Sequence, residues 1–276
     1  MELERHQQDF RKIGLGVAAV SYDSVAVLEN FSERKGIHFP LLSDQDSKII
    51  RELGLLNESA GKDTPFYGIP HPGVFVLDAK GVIRGKYFED DFRERDTSAG
   101  ILLRQFGLIP SDAKSEVTGR QLSLTASAGN ATVTAGEHVV LVLDIELYPG
   151  MHVYAPGVEG YIPVDWKMKE SSAEVAGQAK YPKSEKLYLK AIDETVPAYR
   201  NHFRITRDIT IAQEDKLKPA VDSAGRLTVE GSLRYQACDD RVCYIPQTLP
   251  LKWTFQYQPL DRERVPVALQ RKAPGK

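Results

Sequence analysis

Tyr235-Gln236-Ala237-Cys238-Asp239-Asp240-Arg241-Val242-Cys243-Tyr244-Ile245-Pro246 gathers both cysteines of a 276-residue chain into one short polar loop. On either side, Leu227 to Gln236 and Ile245 to Tyr257 alternate apolar and polar side chains over much of their length, which is the period of strands. The stretch reads as a hairpin with the two sulfurs facing each other. Directly opposed residues of an antiparallel pair have Cα atoms about 4.5–5.5 Å apart, which overlaps the range a disulfide needs. A bond between Cys238 and Cys243 therefore requires no backbone movement.

Magnitude bears on whether such a bond is structural or catalytic. In the chain-entropy model a ring of about six residues contributes only roughly 2 kcal/mol, against roughly 4–5 for a loop of a hundred. A short ring is a weak staple, and a polar hairpin tip leaves both sulfurs near solvent, where a partner's thiolate can attack. A reversible redox pair is the favoured reading, with a structural hairpin disulfide and metal ligation as alternatives. Zinc is disfavoured, because a tetrahedral site needs four ligands and no second Cys or His pair stands at ligand spacing. No metal and no organic cofactor are expected.

The length suggests two domains, each large enough to bury its own core. The net charge of −2 comes from interspersed acids and bases, so no basic stripe points to nucleic acid. No apolar run approaches the roughly 18 residues of a membrane helix, and no secretory apolar region follows Met1. The localisation is therefore not readable from a leader. Two cysteines in a reactive pair fit an oxidising compartment.

The first half alternates helix and strand patterns. Glu2 to Lys12 reads as the end of a helix and Leu15 to Ser21 as a buried strand. Ser24 to Lys35 reads as a helix capped by Ser24 and stopped near Gly36. A third helix is expected over Asp46 to Leu53. Gly73 to Asp78 and Val82 to Tyr87 read as strands joined by the Asp78-Ala79-Lys80-Gly81 turn, followed by an amphipathic helix over Thr97 to Phe106. From about Arg120 the pattern is strands only: Ala131 to Thr134, Val139 to Leu147, Val164 to Lys169, Phe203 to Ile211, Leu227 to Gln236 and Leu249 to Tyr257. Their Gly, Pro and Asp turns have the spacing of an antiparallel sandwich. The expected layout is an α/β domain over 1–109, a polar linker over 110–119, an all-β sandwich over 120–258 and a solvated tail over 259–276.

The second half resembles the N-terminal domain of the thiol:disulfide interchange protein DsbD, an immunoglobulin-like sandwich. Three stretches carry the likeness: Tyr148-Pro149-Gly150-Met151-His152-Val153-Tyr154, Ala198-Tyr199-Arg200 ahead of Phe203, and the cysteine loop. The resemblance implies that Cys238 and Cys243 are the reactive pair, exchanging electrons with a thioredoxin-fold redox protein. It also implies a periplasmic or otherwise extracytoplasmic location. His152 and Tyr154 stand where the family places aromatic side chains near the sulfurs.

The first half resembles the redoxin group of thioredoxin-like proteins, including the peroxiredoxin-like AhpC/TSA members. The signature is Tyr67-Gly68-Ile69-Pro70-His71-Pro72-Gly73-Val74-Phe75-Val76-Leu77-Asp78. Pro72 takes the position of the family's cis-proline. The family's active-site Cys precedes the first helix, and this sequence starts inside that helix, so the domain is read as N-terminally truncated. Met1 is accordingly expected to be an internal methionine of a longer gene product, because the strand ahead of that helix lies between the Leu15 and Gly73 strands in the fold.

Around the sulfurs, Asp239 and Asp240 would raise a thiol's pKa and Arg241 would lower it; Tyr244 completes the lining. His152 and Tyr154, two apart, share one face of a strand. His152 either stabilises a thiolate or is an edge histidine with a surface hydrogen bond. His71 reads as backbone context, Glu89, Asp90 and Asp91 as a solvated acidic patch, and Trp166 and Trp253 as core. Pro182 to Pro197 reads as a long irregular loop, either a cap over the cysteines or a variable segment. The rival to redox exchange is a docking module with a structural disulfide. A second rival is a remnant of a peroxidase whose catalytic Cys is missing.

Overall fold

The computed structural model describes residues 2–57, 67–88, 93–108, 113–189 and 193–269. They divide into two compact units, 2–106 with 260–269, and 107–259. All peptide bonds among them are trans.

The first unit contains helices α1 (Glu2–Arg5), α2 (Gln7–Lys12), α3 (Val25–Lys35), α4 (Lys48–Glu52) and α5 (Ser98–Phe106). Its strands are β1 (Ala19–Ser21), β2 (Leu41–Ser43), β3 (Gly73–Leu77), β4 (Ile83–Phe88) and β5 (Arg95–Asp96). Ser24 caps α3 by accepting from the Val27 amide, and Gly36 ends it at φ 59°, a conformation that costs a glycine nothing. The Asp44 carboxylate accepts from the Lys48 and Ile50 amides and so caps α4, a signal that sequence reading missed. β1 pairs in parallel with β2, and β3 pairs with β4 through the Asp78 turn. The strand expected from Leu15 is only three residues long, and Val20 within it is 47% exposed rather than buried.

In the C-terminal stretch Asp261 and Glu263 pair with Arg34, and Asp261 also with Lys35, while residues 259–264 are exposed. Lys35 and the Glu263 amide pull the Asp261 carboxyl down to about 2. Arg271 and Lys272, and the Glu89 to Asp91 patch, lie outside the described residues.

The second unit is a sandwich. One sheet runs β12 (Glu174–Lys180), β15 (His202–Ile211), β9 (Glu137–Leu147), β7 (Leu122–Ala128) and β6 (Ala113–Thr118). The other runs β11 (Asp165–Met168), β16 (Arg226–Tyr235), β18 (Gln247–Tyr257) and β8 (Thr132–Val133). Period-two alternation buries Leu249, Leu251, Trp253 and Phe255 of β18 while Thr248, Pro250, Lys252 and Thr254 face out. They meet Leu141, Leu143 and Ile145 of β9 in one core, where Trp166 and Trp253 stack with ring centroids 5.6 Å apart. The Trp253 indole donates to the Ser127 carbonyl.

Residues 113–118 are not linker. They form β6, paired with β7 from Ala113–Ala128 to Thr118–Ser123. Their polar composition hid the strand, because an edge strand satisfies its backbone on one side while Val117 packs on the core. Residues 109–112 lie outside the described residues.

A third, smaller sheet positions the cysteines. It runs β13 (Glu185–Leu189), β14 (Glu194–Arg200), β10 (His152–Tyr154) and β17 (Ala237–Cys238). The segment read as an irregular loop from Pro182 is thus largely a hairpin, β13 against β14, whose residues 190–192 are not described. The β16–β18 hairpin holds register to Tyr235–Gln247, and its tip then leaves its own sheet to pair with β10.

Candidate functional site

Local chemistry brings the sulfurs together. The Asp239 amide donates to the Val242 carbonyl and the Tyr244 amide to the Ala237 carbonyl, which makes Cys238 and Cys243 an antiparallel non-hydrogen-bonded pair. Asp239 holds the bend from inside: one carboxylate oxygen accepts from the Arg241 and Val242 amides and the other from the Tyr244 hydroxyl. These contacts, with the backbone bonds largest, keep its carboxyl below the usual range, and Asp239 in turn raises the Tyr244 phenol. The Cα atoms of Cys238 and Cys243 lie 4.0 Å apart and the two form a disulfide.

Their environments differ sharply. Cys238 is 1% exposed, packed with Tyr154 and Val196 and against Leu187 and Leu189 of the β13–β14 hairpin. Cys243 is exposed, between exposed Val242 and Ile245, the latter 80% exposed. The expectation that both sulfurs sit near solvent therefore holds for Cys243 and fails for Cys238. Pairing of β17 with β10 covers Cys238, and no local pattern in the loop records that pairing.

β10 supplies the aromatic wall. Tyr148-Pro149-Gly150-Met151 turns the chain into it, with the Met151 amide on the Tyr148 carbonyl and Gly150 at φ 80°, where a side chain would be strained. The Tyr154 hydroxyl lies 3.6 Å from the Cys243 sulfur. Burial, and then Glu194, hold its phenol above the ordinary value. The Tyr154 ring rests 4.3 Å from that of Tyr161, whose hydroxyl donates to Glu194 at 2.6 Å and whose pKa is pushed up to about 12. His152 lies directly opposite Cys238 across β10 and β17 and opposite Arg200 across β10 and β14. It is 3% exposed, its Nε2 is buried without a hydrogen-bond partner, and its ring meets Tyr154 edge-on at 5.5 Å. Burial lowers its pKa, with Asp240 opposing and Arg200 adding to that effect. The reading of His152 as a surface edge histidine is thereby corrected: β14 and β17 flank it on both sides.

Cys238, Cys243, His152, Tyr154, Asp239, Asp240, Arg241 and Tyr244 are thus gathered around one turn. Asp240 and Arg241 are exposed at its tip. Pro72 belongs to the other unit, and the His71–Pro72 bond is trans, against the expected cis form. Trans is favoured by roughly 0.5–1 kcal/mol unless packing selects cis, and the only strand paired with the adjoining β3 is β4 among the described residues. The His71 amide bonds to the Leu55 carbonyl. Sequence reading missed Tyr161, Glu194, Val196, Leu187 and Leu189. Alternation in Leu187-Tyr188-Leu189 and Thr195-Val196-Pro197 was the available signal.

Comparison with known proteins places these features. Residues 1–86 match the AhpC/TSA family, and residues 120–252 match the N-terminal domain of the thiol:disulfide interchange protein DsbD. The chain therefore joins a thioredoxin-like redoxin region to a β-rich domain of DsbD N-terminal type. Among curated proteins, peroxiredoxin Bcp of Escherichia coli K12 is 31% identical over 91 residues, covering 33% of this chain and 56% of that protein. Peroxiredoxin-2 of Rattus norvegicus is 34% identical over 86 residues, covering 29% and 40%. The chain spans about half the length, or less, of these relatives. Among solved structures, the N-terminal periplasmic domain of ScsB from Proteus mirabilis aligns at 17% identity and TM-score 0.35, covering 51% of each chain. The reduced DsbD N-terminal domain of Neisseria meningitidis aligns at 16% and TM-score 0.27, covering 42% of this chain and 82% of that one. The AhpC/TSA-matching stretch contains no cysteine; both lie in the DsbD-type region.

Proposed function

We propose that the Cys238–Cys243 disulfide is a thiol–disulfide exchange centre in which Cys243 is the sulfur that meets the partner. The difference in burial carries this reading, since Cys243 is exposed and Cys238 is 1% exposed. In the reduced chain the Cys243 thiolate attacks a partner's disulfide and the partner's second sulfur leaves with the bonding pair. Cys238 then attacks the Cys243 sulfur, releases the partner as a thiol, and closes the ring. The two cysteines are oxidised and one partner disulfide is reduced. Exposed Val242 and Ile245 beside Cys243 offer an apolar rim for a partner of thioredoxin fold, and the DsbD-type match supports that partner class and an extracytoplasmic setting. Peroxide chemistry by the first unit has no thiol to use within 1–86.

Equilibration with thiol buffers tests the reading against a structural disulfide. A reduction potential between about −120 and −270 mV supports exchange, and one well below about −300 mV supports a structural bond in a docking module.

A further inference from the structure

Closing the ring demands that a buried thiol lose its proton, and the surroundings of Cys238 make that difficult. Its sulfur packs with Tyr154 and Val196, away from water, where a thiolate is disfavoured. A single residue combines a titratable group, burial and an unused polar atom at this spot. His152 is 3% exposed and its Nε2 has no hydrogen-bond partner. A buried polar atom left unpaired is costly and rare enough to require an explanation. The register places His152 directly across from Cys238, and directly opposed residues hold their Cβ atoms about 4.5–5.5 Å apart on one face.

We infer that His152 is the proton acceptor for Cys238 in the closing step, an assignment that rests on the exchange reading above. For this step the Cys238 S–H of the dithiol turns toward Nε2 across the β10–β17 pair. As Cys238 attacks the Cys243 sulfur of the mixed disulfide, the new S–S bond forms and the partner sulfur leaves with the electron pair. The Cys238 proton passes to Nε2 during the attack and from there to solvent or to the departing thiolate. A free buried thiolate never has to exist. In the reverse direction the imidazolium returns the proton as Cys238 leaves Cys243. The groups facing His152 set its basicity: Arg200 from β14, itself paired with Glu185 of β13, Asp239 and Asp240 from the turn, Tyr154 on its own strand and Cys238 on β17. Burial lowers its affinity for a proton, so the ring is a neutral base at neutral pH.

The test uses the full chain, reduced, with 5,5′-dithiobis(2-nitrobenzoate) as probe. The first thionitrobenzoate is released when Cys243 attacks the reagent and the second when Cys238 closes the ring, so the two steps are read separately at one wavelength. His152→Phe keeps an aromatic ring and removes the base, and His152→Gln keeps polarity without one. The expected result is a second release slowed about ten-fold or more near neutral pH in both variants, and a rate that becomes steeply pH-dependent where the wild type is flat. The first release changes less than about two-fold, because Cys238, not Cys243, is the residue opposite His152. A second release with wild-type rate and pH profile in either variant overturns the inference while leaving exchange intact. Absence of a second release in the wild type itself removes the exchange reading and the inference with it. Circular dichroism of the variants separates either outcome from misfolding, and a variant that unfolds is replaced by His152→Asn, judged by the same two rates.

Discussion

The Tyr154 hydroxyl stands 3.6 Å from the sulfur of Cys243, the exposed residue of the pair, while the ring of Tyr154 covers the buried Cys238. One tyrosine therefore contacts both members of the pair in different ways. Its phenol, raised by burial, stays protonated and able to donate to a thiolate at neutral pH. Tyr154→Phe should raise the Cys243 thiol pKa by about one to two units, the loss of one hydrogen bond to a charged group. Iodoacetamide alkylation against pH in a Cys238→Ser background checks this, and an unchanged midpoint means the hydroxyl gives the thiolate nothing.

Val196 is 2% exposed and packs with Cys238 and Tyr154 from the β13–β14 hairpin. Val196→Ala should cost roughly 1–3 kcal/mol in unfolding free energy through lost burial and an imperfectly filled gap. It should also raise the alkylation rate of reduced Cys238 several-fold, as the hairpin's cover loosens. Stability loss with no change in alkylation would mean the hairpin is scaffold and does not shield the sulfur.

The Tyr161 phenol, pushed up to about 12 by its hydrogen bond to Glu194, gives a pH signature. A phenol whose folded pKa exceeds its unfolded value adds stability that is complete below about pH 10 and is lost as pH rises through its folded pKa. Ultraviolet titration should show a late-ionising tyrosine, shifted back toward the ordinary value in Glu194→Gln. The same variant should flatten the alkaline loss of stability between about pH 10 and 12.

Asp239 gathers two backbone amides and the Tyr244 hydroxyl into the bend that opposes the sulfurs. Asp239→Ala should lower the effective molarity of ring closure by about three- to ten-fold, because the open dithiol then samples more conformations. Asp239→Asn, which still accepts from the backbone, should lie between the two. Equilibrium titration with a monothiol measures the effect directly, and identical values for all three chains would refute the role of the carboxylate.

How much of this was legible in the sequence depends on whether the signal was local. The Ser24 cap, the Gly36 stop, the Asp78 turn and the alternation through Trp253 are encoded within a few residues, and they read correctly. The facing of Cys238 and Cys243 was also local, since the loop is a hairpin tip. The unequal burial of the two sulfurs was not. It arises because β17 pairs with His152 and Val153, some 85 residues earlier, and because the β13–β14 hairpin packs over them. Pairing between distant segments leaves little trace in composition, and for the same reason β6, with its Lys114, Ser115 and Glu116, read as linker. His152 was noticed, yet its burial depends on neighbours on both sides that the local sequence does not name.

The central claim is that Cys243 meets the partner and Cys238 resolves. Incubating reduced Cys238→Ser and Cys243→Ser chains with an oxidised thioredoxin-fold protein, then separating mixed disulfides without reductant, tests it most directly. The account predicts a stable mixed disulfide through Cys243 in the Cys238→Ser chain and little or none in the Cys243→Ser chain. Efficient capture through Cys238, or equal capture by both, would contradict it.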